Sequence, residues 1–130
     1  KQHNENAIAV SNYLSNHPKI EKVFFPGNDK RHMEIAEKHM DGFGGMMSFV
    51  IDSDINGVKT FLKNLNLFTL AESLGGVESL IEHPAIMTHA SIDPSIREKL
   101  GISETLLRIS VGIEDVDDLI SDLDQALSKI

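Results

Sequence analysis

The sequence contains no cysteine. This absence excludes disulfide bonds, thiolate zinc sites and a catalytic thiol, and it is compatible with a reducing compartment. Basic residues are also scarce, at 12 against 20 acidic residues, which gives a formal net charge of −8. Nucleic acid is therefore not expected as a partner, because binding to phosphates needs clustered positive charge.

Long apolar runs are missing as well, and no segment approaches the roughly 18 apolar residues of a membrane-spanning helix. The first residues, KQHNENAIAV, lack the basic and then apolar pattern of a signal peptide. We therefore expect a cytoplasmic protein with no membrane partner. The sequence also begins without methionine and inside a helical pattern, which suggests a segment of a longer protein.

The length and composition are those of one globular domain, with 130 residues of which 41% are hydrophobic and 25% charged. Apolar residues at helical spacing predict helices at 4–15, 30–40, 55–65, 94–101 and 114–130. Short apolar runs predict strands at 22–25, 46–51, 67–72 and 105–112. Asp54, Asp93 and Asp115 are predicted helix N-caps. The alternation favours an α/β two-layer sandwich, with a small, mostly antiparallel sheet and helices on one face.

Arg108 lies in the middle of the last predicted strand, TLLRISVG. Side chains alternate along a strand, so Leu107 and Ile109 point to one face and Arg108 to the other. Because so much apolar surface surrounds it, the guanidinium should be partly desolvated, and it then favours a bidentate carboxylate or phosphate partner. Spacing alone leaves open an anion-binding site, an internal ion pair with Asp or Glu, or a solvated position.

The segment LAESLGGVESLIEHPAIMTHASI, residues 70–92, has neither helical nor strand periodicity over most of its length. Gly75 and Gly76 can adopt positive φ and can present backbone N–H groups to an anion, although two glycines are more often a simple turn. Ser73 has no histidine at a triad spacing and no Gly-x-Ser-x-Gly context, so an acyl-transfer nucleophile is not expected.

The histidines form two pairs by position, His32 with His39 and His83 with His89. Neither spacing is a known metal-ligand pattern. We therefore predict no metal site.

Two long motifs carry a family resemblance: residues 70–92 and the later GISETLLRISVGIEDVDDLISDLDQAL. Together they resemble the C-terminal domain of the pyridoxal-phosphate (PLP) enzymes of cysteine and methionine metabolism. That family includes cystathionine γ-synthase, cystathionine γ-lyase, cystathionine β-lyase, methionine γ-lyase and the O-acetylhomoserine sulfhydrylases. The segments HNENAIAVSNYLSNHPKIEKVFFPG and GFGGMMSFVID resemble the family's linker helix and first C-terminal strand region. The resemblance implies one domain, residues 1–130, that is the C-terminal small domain of a PLP fold-type I enzyme, with residues 1–16 as part of the linker helix.

The resemblance also implies roles for three residues. Arg108 matches the arginine that binds the substrate carboxylate. Ser73 matches an active-site serine that helps to orient the cofactor-bearing lysine, and Glu72 occupies a position that contacts the distal part of the substrate. With a glutamate at this position, the chain resembles the γ-synthases and γ-lyases rather than the methionine γ-lyases.

The family's Schiff-base lysine lies in a Ser-x-Thr-Lys-type motif, and neither it nor the other cofactor-binding residues have a match in this sequence. PLP chemistry requires that lysine and the groups that hold the ring. We therefore expect no cofactor-binding residue in this chain, PLP bound by a large domain outside it, and no turnover by the chain alone.

The expected function is that of the substrate-recognising domain of a PLP-dependent trans-sulfuration enzyme of the cystathionine γ-synthase type, which acts on homoserine esters or cystathionine. Cystathionine γ-lyase is the alternative within the family. A stand-alone, non-catalytic domain that binds amino acids or a partner is the alternative outside it. The implied partners are a small amino-acid substrate, the rest of the enzyme chain, and further copies in a homotetramer.

Overall fold

The computed structural model describes residues 1–130. Its elements are, in chain order, α1 Gln2–Ser15, β1 Ile20–Phe24, a 3₁₀ turn Pro26–Asn28, α2 Lys30–His39, β2 Met46–Ile51, α3 Ile55–Lys63, β3 Thr69–Leu70, β4 Leu80–Glu82, α4 Pro94–Lys99, β5 Leu106–Ser110 and α5 Val116–Leu127. Helices and strands alternate, so the predicted α/β class is confirmed. None of the helices has the length and apolar character needed to cross a bilayer.

The strands form one five-stranded sheet in the order β1-β2-β5-β4-β3. Every neighbouring pair is antiparallel except β3 and β4, which run parallel. The prediction of a mostly antiparallel sheet is therefore confirmed. The last strand of the chain, β5, occupies the centre, where β2 and β4 bond to its two edges.

The main core lies between one face of the sheet and the helices α1, α3 and α5. Alternate residues of β2 and β5 point into it, and Phe49 packs edge-to-face against Phe61 of α3 with ring centroids 6.2 Å apart. The fully buried apolar side chains of this core include Ala7, Val10, Leu14, Phe49, Ile51, Val58, Phe61, Leu107, Ile109, Leu119, Leu123 and Leu127. Helix α1 is thus an integral part of the packed domain.

The three predicted N-caps are present. The carboxylate of Asp54 accepts from the backbone N–H of Gly57 at 2.8 Å, and Asp93 accepts from Ser95 N–H at 2.9 Å. Asp115 accepts from the N–H groups of residues 117 and 118 at the start of α5. Each cap satisfies N–H groups that have no acceptor within their own helix.

In the middle of the chain one strand prediction is wrong, and one strand of the structure has no counterpart among the predictions. The predicted strand at 67–72 is reduced to Thr69–Leu70, an exposed two-residue edge strand. Residues 80–82, inside the segment predicted to be irregular, form β4, and all three are buried. A strand covered on both faces has no polar and apolar alternation, so its sequence gives no period-two signal.

A buried carboxylate on α5 anchors the chain where it enters β3. Asp122 is 5% exposed. Its two oxygens accept from the backbone N–H groups of Asn66 and Leu67, each at 2.8 Å, and of Phe68 at 3.2 Å. These bonds give three loop N–H groups a carboxylate acceptor that is itself buried.

We predict that Asp122→Ala lowers the free energy of unfolding by about 2–4 kcal/mol, because hydrogen bonds to a charged group are lost and buried N–H groups remain without partners. Urea unfolding followed by circular dichroism measures the change. Asp118→Asn, at an exposed position on the same helix, is the matched control and should cost less than about 1 kcal/mol. Equal losses in the two variants would contradict the anchoring role.

Candidate functional site

Arg108 lies at the centre of the sheet, on the face opposite the main core. Its neighbours on β5, Leu107 and Ile109, are fully buried in that core. Across the sheet it stands in register with Ser48 of β2 on one side and Glu82 of β4 on the other. The alternation predicted for this strand is therefore confirmed.

Arg108 forms an ion pair with Glu82. The contact joins Nη2 of the guanidinium to Oε2 of the carboxylate, and the Glu82 side chain is 2% exposed while that of Arg108 is 30% exposed. The hydroxyl of Thr88 donates to the other carboxylate oxygen, Oε1. The internal ion pair that spacing left open is thus present.

The ion pair uses only part of the guanidinium. Arg108 makes no other ion pair and donates to no other acceptor in the structure. A guanidinium carries five N–H donors in a planar fork. The remaining donors, on a side chain that is partly exposed, can therefore bind an anion from outside the domain.

Glu72 and Ser73 lie in the exposed loop 71–79, which connects β3 to β4. Neither side chain makes a hydrogen bond or an ion pair within the domain. The loop is tied to the Arg108 face of the sheet because the N–H of Gly75 donates to Oγ of Ser110 at 2.8 Å. Gly75 has φ +78°, a conformation that glycine adopts without strain. The structure thus brings the loop that carries Glu72 and Ser73 to the face that carries Arg108.

Ser79 and Glu114 hold the far end of this loop. Ser79 is fully buried. Its backbone N–H and its hydroxyl donate to the two carboxylate oxygens of Glu114, at 2.6 and 2.8 Å. The same hydroxyl accepts from the N–H of Gly112 at 2.8 Å. The loop end is therefore fixed to the segment that follows β5.

Gly112 allows this close approach. A Cβ atom at this position would lie 2.3 Å from the carbonyl oxygen of Val77. The buried amide of Asn6 on α1 donates to the carbonyls of Gly112 and Glu114, at 3.1 and 2.8 Å. Helix α1, the strand end and the loop thus meet at one point beside the candidate site.

Sequence reasoning missed Glu82, Thr88 and Glu114. Each belongs to the site or its support only through contacts with residues distant in the chain. For Glu82 a weak signal exists, since a glutamate inside the apolar run SLIEHPA needs a cationic or hydrogen-bonding partner if it is buried. The sequence does not indicate which residue is that partner.

His83, next to Glu82, is a buried titratable group. Its Nε2 donates to the carbonyl of Glu104 at 2.6 Å, and its Nδ1 has no partner. Burial lowers the pKa of His83 below the ordinary value, more strongly than the bond to Glu104 raises it, and the charge of Lys59 lowers it further. The ring is therefore neutral at pH 7.

The chain matches known proteins over nearly its whole length. Residues 1–128 match the family model described as Cys/Met metabolism PLP-dependent enzyme. Cystathionine γ-lyase of Dictyostelium discoideum is 54% identical over 129 residues, which are 98% of this chain and 33% of that protein. Cystathionine β-lyase of Lactococcus lactis subsp. cremoris is 52% identical over 128 residues, again 98% of this chain and 33% of that protein.

Solved structures have the same fold. The crystal structure of cystathionine gamma synthase from Xanthomonas oryzae pv. oryzae in complex with aminoacrylate and cysteine superposes with a TM-score of 0.91 at 46% identity, covering 98% of this chain and 33% of that one. The chain thus spans about a third of the length of the relatives it matches.

The residues of this site do not by themselves form a PLP site. PLP enzymes hold the cofactor through a lysine Schiff base and a partner for the pyridine nitrogen. No lysine forms a hydrogen bond or an ion pair with Arg108, Glu82 or the loop 71–79; Lys19, for example, donates to the carbonyls of Leu127 and Ile130. The backbone N–H of Gly75 is already bonded to Ser110. What the site offers is a partly exposed guanidinium that can bind an anion.

We predict that Ser79→Ala loosens the loop that carries Glu72 and Ser73. The variant removes one donor to Glu114 and the acceptor for Gly112 N–H, so the unfolding free energy should fall by about 1–3 kcal/mol. Amide hydrogen exchange in residues 72–78 should become faster, as mass spectrometry would measure. Ser91→Ala, at an exposed serine without hydrogen bonds, is the control. Unchanged exchange in the loop would refute the proposed anchor.

We predict that stability falls as the pH drops below the ordinary histidine pKa of 6.5. The pKa of His83 is lower in the folded than in the unfolded chain, so the unfolded chain binds more protons in that range. The contribution of neutral His83 to the free energy of unfolding is complete above pH 6.5 and is lost as the pH falls toward the folded-state pKa. Urea midpoints measured across this range check the effect. His83→Gln should reduce the decline, whereas His39→Gln, at an exposed histidine, should leave it unchanged.

Proposed function

Because this chain belongs to the Cys/Met metabolism PLP-dependent enzyme family, we propose that it is the C-terminal, substrate-recognising domain of a trans-sulfuration enzyme. Residues 1–130 form one domain in this proposal, and residues 1–16 continue into the linker helix of the longer protein. The observation that carries the proposal is Arg108, a partly exposed arginine in the central strand whose guanidinium keeps free donors.

Arg108 binds the α-carboxylate of the amino-acid substrate. A planar guanidinium can offer two parallel N–H groups to a carboxylate, and this geometry fixes orientation as well as position. The part of the guanidinium that does not contact Glu82 makes this bond. Holding the carboxylate orients the Cα–H bond of the substrate in the active site. Fixed orientation of the reacting bond lowers the barrier to its reaction.

Glu72 and Ser73 complete the part of the site that this chain contributes. Glu72 contacts the distal end of the substrate, and Ser73 helps to orient the lysine that bears the cofactor. Both side chains are exposed and unpaired in the domain, so they are free to contact groups outside it. PLP and its lysine belong to the part of the enzyme outside this chain, and the chain alone is inactive.

The names of the relatives support cystathionine as the substrate. It appears in the names of the γ-lyase and β-lyase relatives and as the ligand in a second Xanthomonas oryzae γ-synthase structure, which superposes with a TM-score of 0.91. Glutamate at position 72 supports chemistry at the γ-carbon, and the motif ESLGGVESLI supports the γ-synthase type. The 54% identity to a γ-lyase, against 46% to the γ-synthase structure, supports γ-lyase as the second candidate.

The proposal extends to the assembly and location of the full-length enzyme, a homotetramer in the cytoplasm. Exposed apolar side chains in and beside the loop support further burial in the assembled enzyme: Leu70, Leu74 and Val77 are 53%, 53% and 64% exposed. Apolar side chains grouped in this way are typical of surfaces that contact another domain or subunit.

We predict that Arg108→Ala in the full-length enzyme lowers kcat/KM for cystathionine about 30-fold or more, because removing one partner of a desolvated charge pair costs about 2–5 kcal/mol. Arg108→Lys should lose less, since a point charge remains but the fork is absent. Arg31→Ala, at an exposed arginine on α2, is the matched control. Unchanged kinetics of Arg108→Ala would refute the assignment.

The products of the same assay separate the candidate activities. Cleavage of the Cγ–S bond of cystathionine releases cysteine, whereas cleavage of the Cβ–S bond releases homocysteine. Formation of cystathionine from a homoserine ester and cysteine identifies the γ-synthase. No turnover in any of these assays by the full-length, PLP-loaded protein would favour the non-catalytic domain.

A further inference from the structure

We propose that Glu82 and Thr88 are positioning residues that orient the Arg108 guanidinium for one carboxylate partner. The inference rests on the proposed function of Arg108 as the substrate-carboxylate ligand. It adds two residues to which neither the sequence motifs nor the relatives' names assign a role.

Glu82 is held in place by its strand. It stands opposite Arg108 in the antiparallel pairing of β4 with β5, and the preceding residue, Ile81, lies in the main core at 1% exposed. The carbonyl of Ile81 also accepts from the N–H of Ala71 at 2.9 Å. Because the backbone is bonded on both edges and the side chain is 2% exposed, Glu82 cannot swing out when a ligand arrives.

Thr88 fixes the orientation of the Glu82 carboxylate. Its hydroxyl contacts Oε1 of Glu82 and lies 2.7 Å from Nδ1 of His89. An ionised carboxylate can only accept, and a hydroxyl has one proton. Thr88 therefore donates to Glu82 and accepts from the Nδ1–H of His89. The hydrogen bond from Thr88 thus holds the Glu82 carboxylate through the oxygen that does not contact Arg108.

The turn that carries Thr88 is itself anchored. Nη1 of Arg97, on α4, donates to the carbonyl of Ala85 and to that of His89 at 3.3 Å. Backbone bonds from Met87 and His89 to the carbonyls of His83 and Pro84 close the turn. Thr88 is therefore part of a fixed frame, not of a mobile loop.

This frame determines which donors of Arg108 remain for the substrate. The ion-pair contact of Nη2 with Glu82 restricts rotation of the guanidinium, whose other nitrogens have no partner within the domain. A donor pair fixed before binding costs less conformational entropy when the substrate binds. Glu82 also pairs with the partly buried guanidinium in the absence of substrate, which offsets the cost of its partial desolvation. The expected consequence is a preference for carboxylate over neutral amides.

The test measures that preference in the full-length, PLP-loaded enzyme. Inhibition constants of L-alanine and L-alaninamide are determined against cystathionine turnover. The inhibition constant of L-alaninamide divided by that of L-alanine gives the carboxylate preference. The ratio does not depend on the fraction of enzyme that is folded. A purely structural role for Glu82 and Thr88 would therefore leave it unchanged even where the variants lower stability or yield.

We expect Thr88→Val and Glu82→Gln to reduce the ratio about three- to tenfold, as expected for the loss of one orienting hydrogen bond. KM for cystathionine should rise while kcat changes less. Thr88→Ser keeps the hydroxyl and should restore the wild-type ratio. Thr60→Val, which removes an exposed hydroxyl from α3, is the matched control.

The Arg108→Ala variant distinguishes a failure of the positioning inference from a failure of the proposed function. If this variant loses the preference while Thr88→Val and Glu82→Gln keep it or increase it, the positioning inference is wrong and the carboxylate assignment stands. If Arg108→Ala itself keeps the preference, the proposed function of Arg108 is wrong, and the inference falls with it. If Thr88→Ser fails to restore the ratio, the hydroxyl is not the orienting group.

Discussion

The central strand β5 imposes the constraint from which the rest of the structure follows. It is bonded to β2 on one edge and to β4 on the other, so its backbone is satisfied within the sheet. Leu107 and Ile109 form the middle of the main core and are fully buried. A partly desolvated arginine on the opposite face of such a strand is stabilised by an anionic partner, because desolvating an unpaired charge is unfavourable. The register of β4 supplies Glu82 as that partner.

Beside the strands that carry Arg108 and Glu82, the candidate site includes irregular segments, and buried polar side chains fix the ends of the loop with Glu72 and Ser73. Asp122 accepts three backbone N–H groups ahead of β3, and Glu114 accepts two donors from Ser79 at the end of the loop. Such bonds are individually modest, but leaving the groups unpaired in a buried place is costly. The loop with Glu72 and Ser73 is therefore constrained at its ends while its middle stays exposed.

Local patterns predicted most of the helices and the central strand correctly. Helical periodicity and the caps Asp54, Asp93 and Asp115 located α3, α4 and α5, because caps and periodicity are local properties of the chain. Alternation placed Leu107 and Ile109 on the core face. Local patterns did not predict β4, whose three buried residues show no alternation, and they overestimated β3, where an apolar run forms only a short, exposed edge strand. The roles proposed for Glu72, Ser73 and Arg108 rest on the family resemblance, since spacing left them open.

The sequence by itself determined the α/β class, the helix boundaries that depend on caps, the faces of β5 and the membership of a PLP-dependent family. Only the tertiary structure decided that Glu82 faces Arg108, that Thr88 locks Glu82, and that Glu114 holds the loop. The physical reason is that these contacts depend on strand register and loop packing. Both are set by hydrogen bonds and burial between segments far apart in the chain, which leave no pattern in the local sequence.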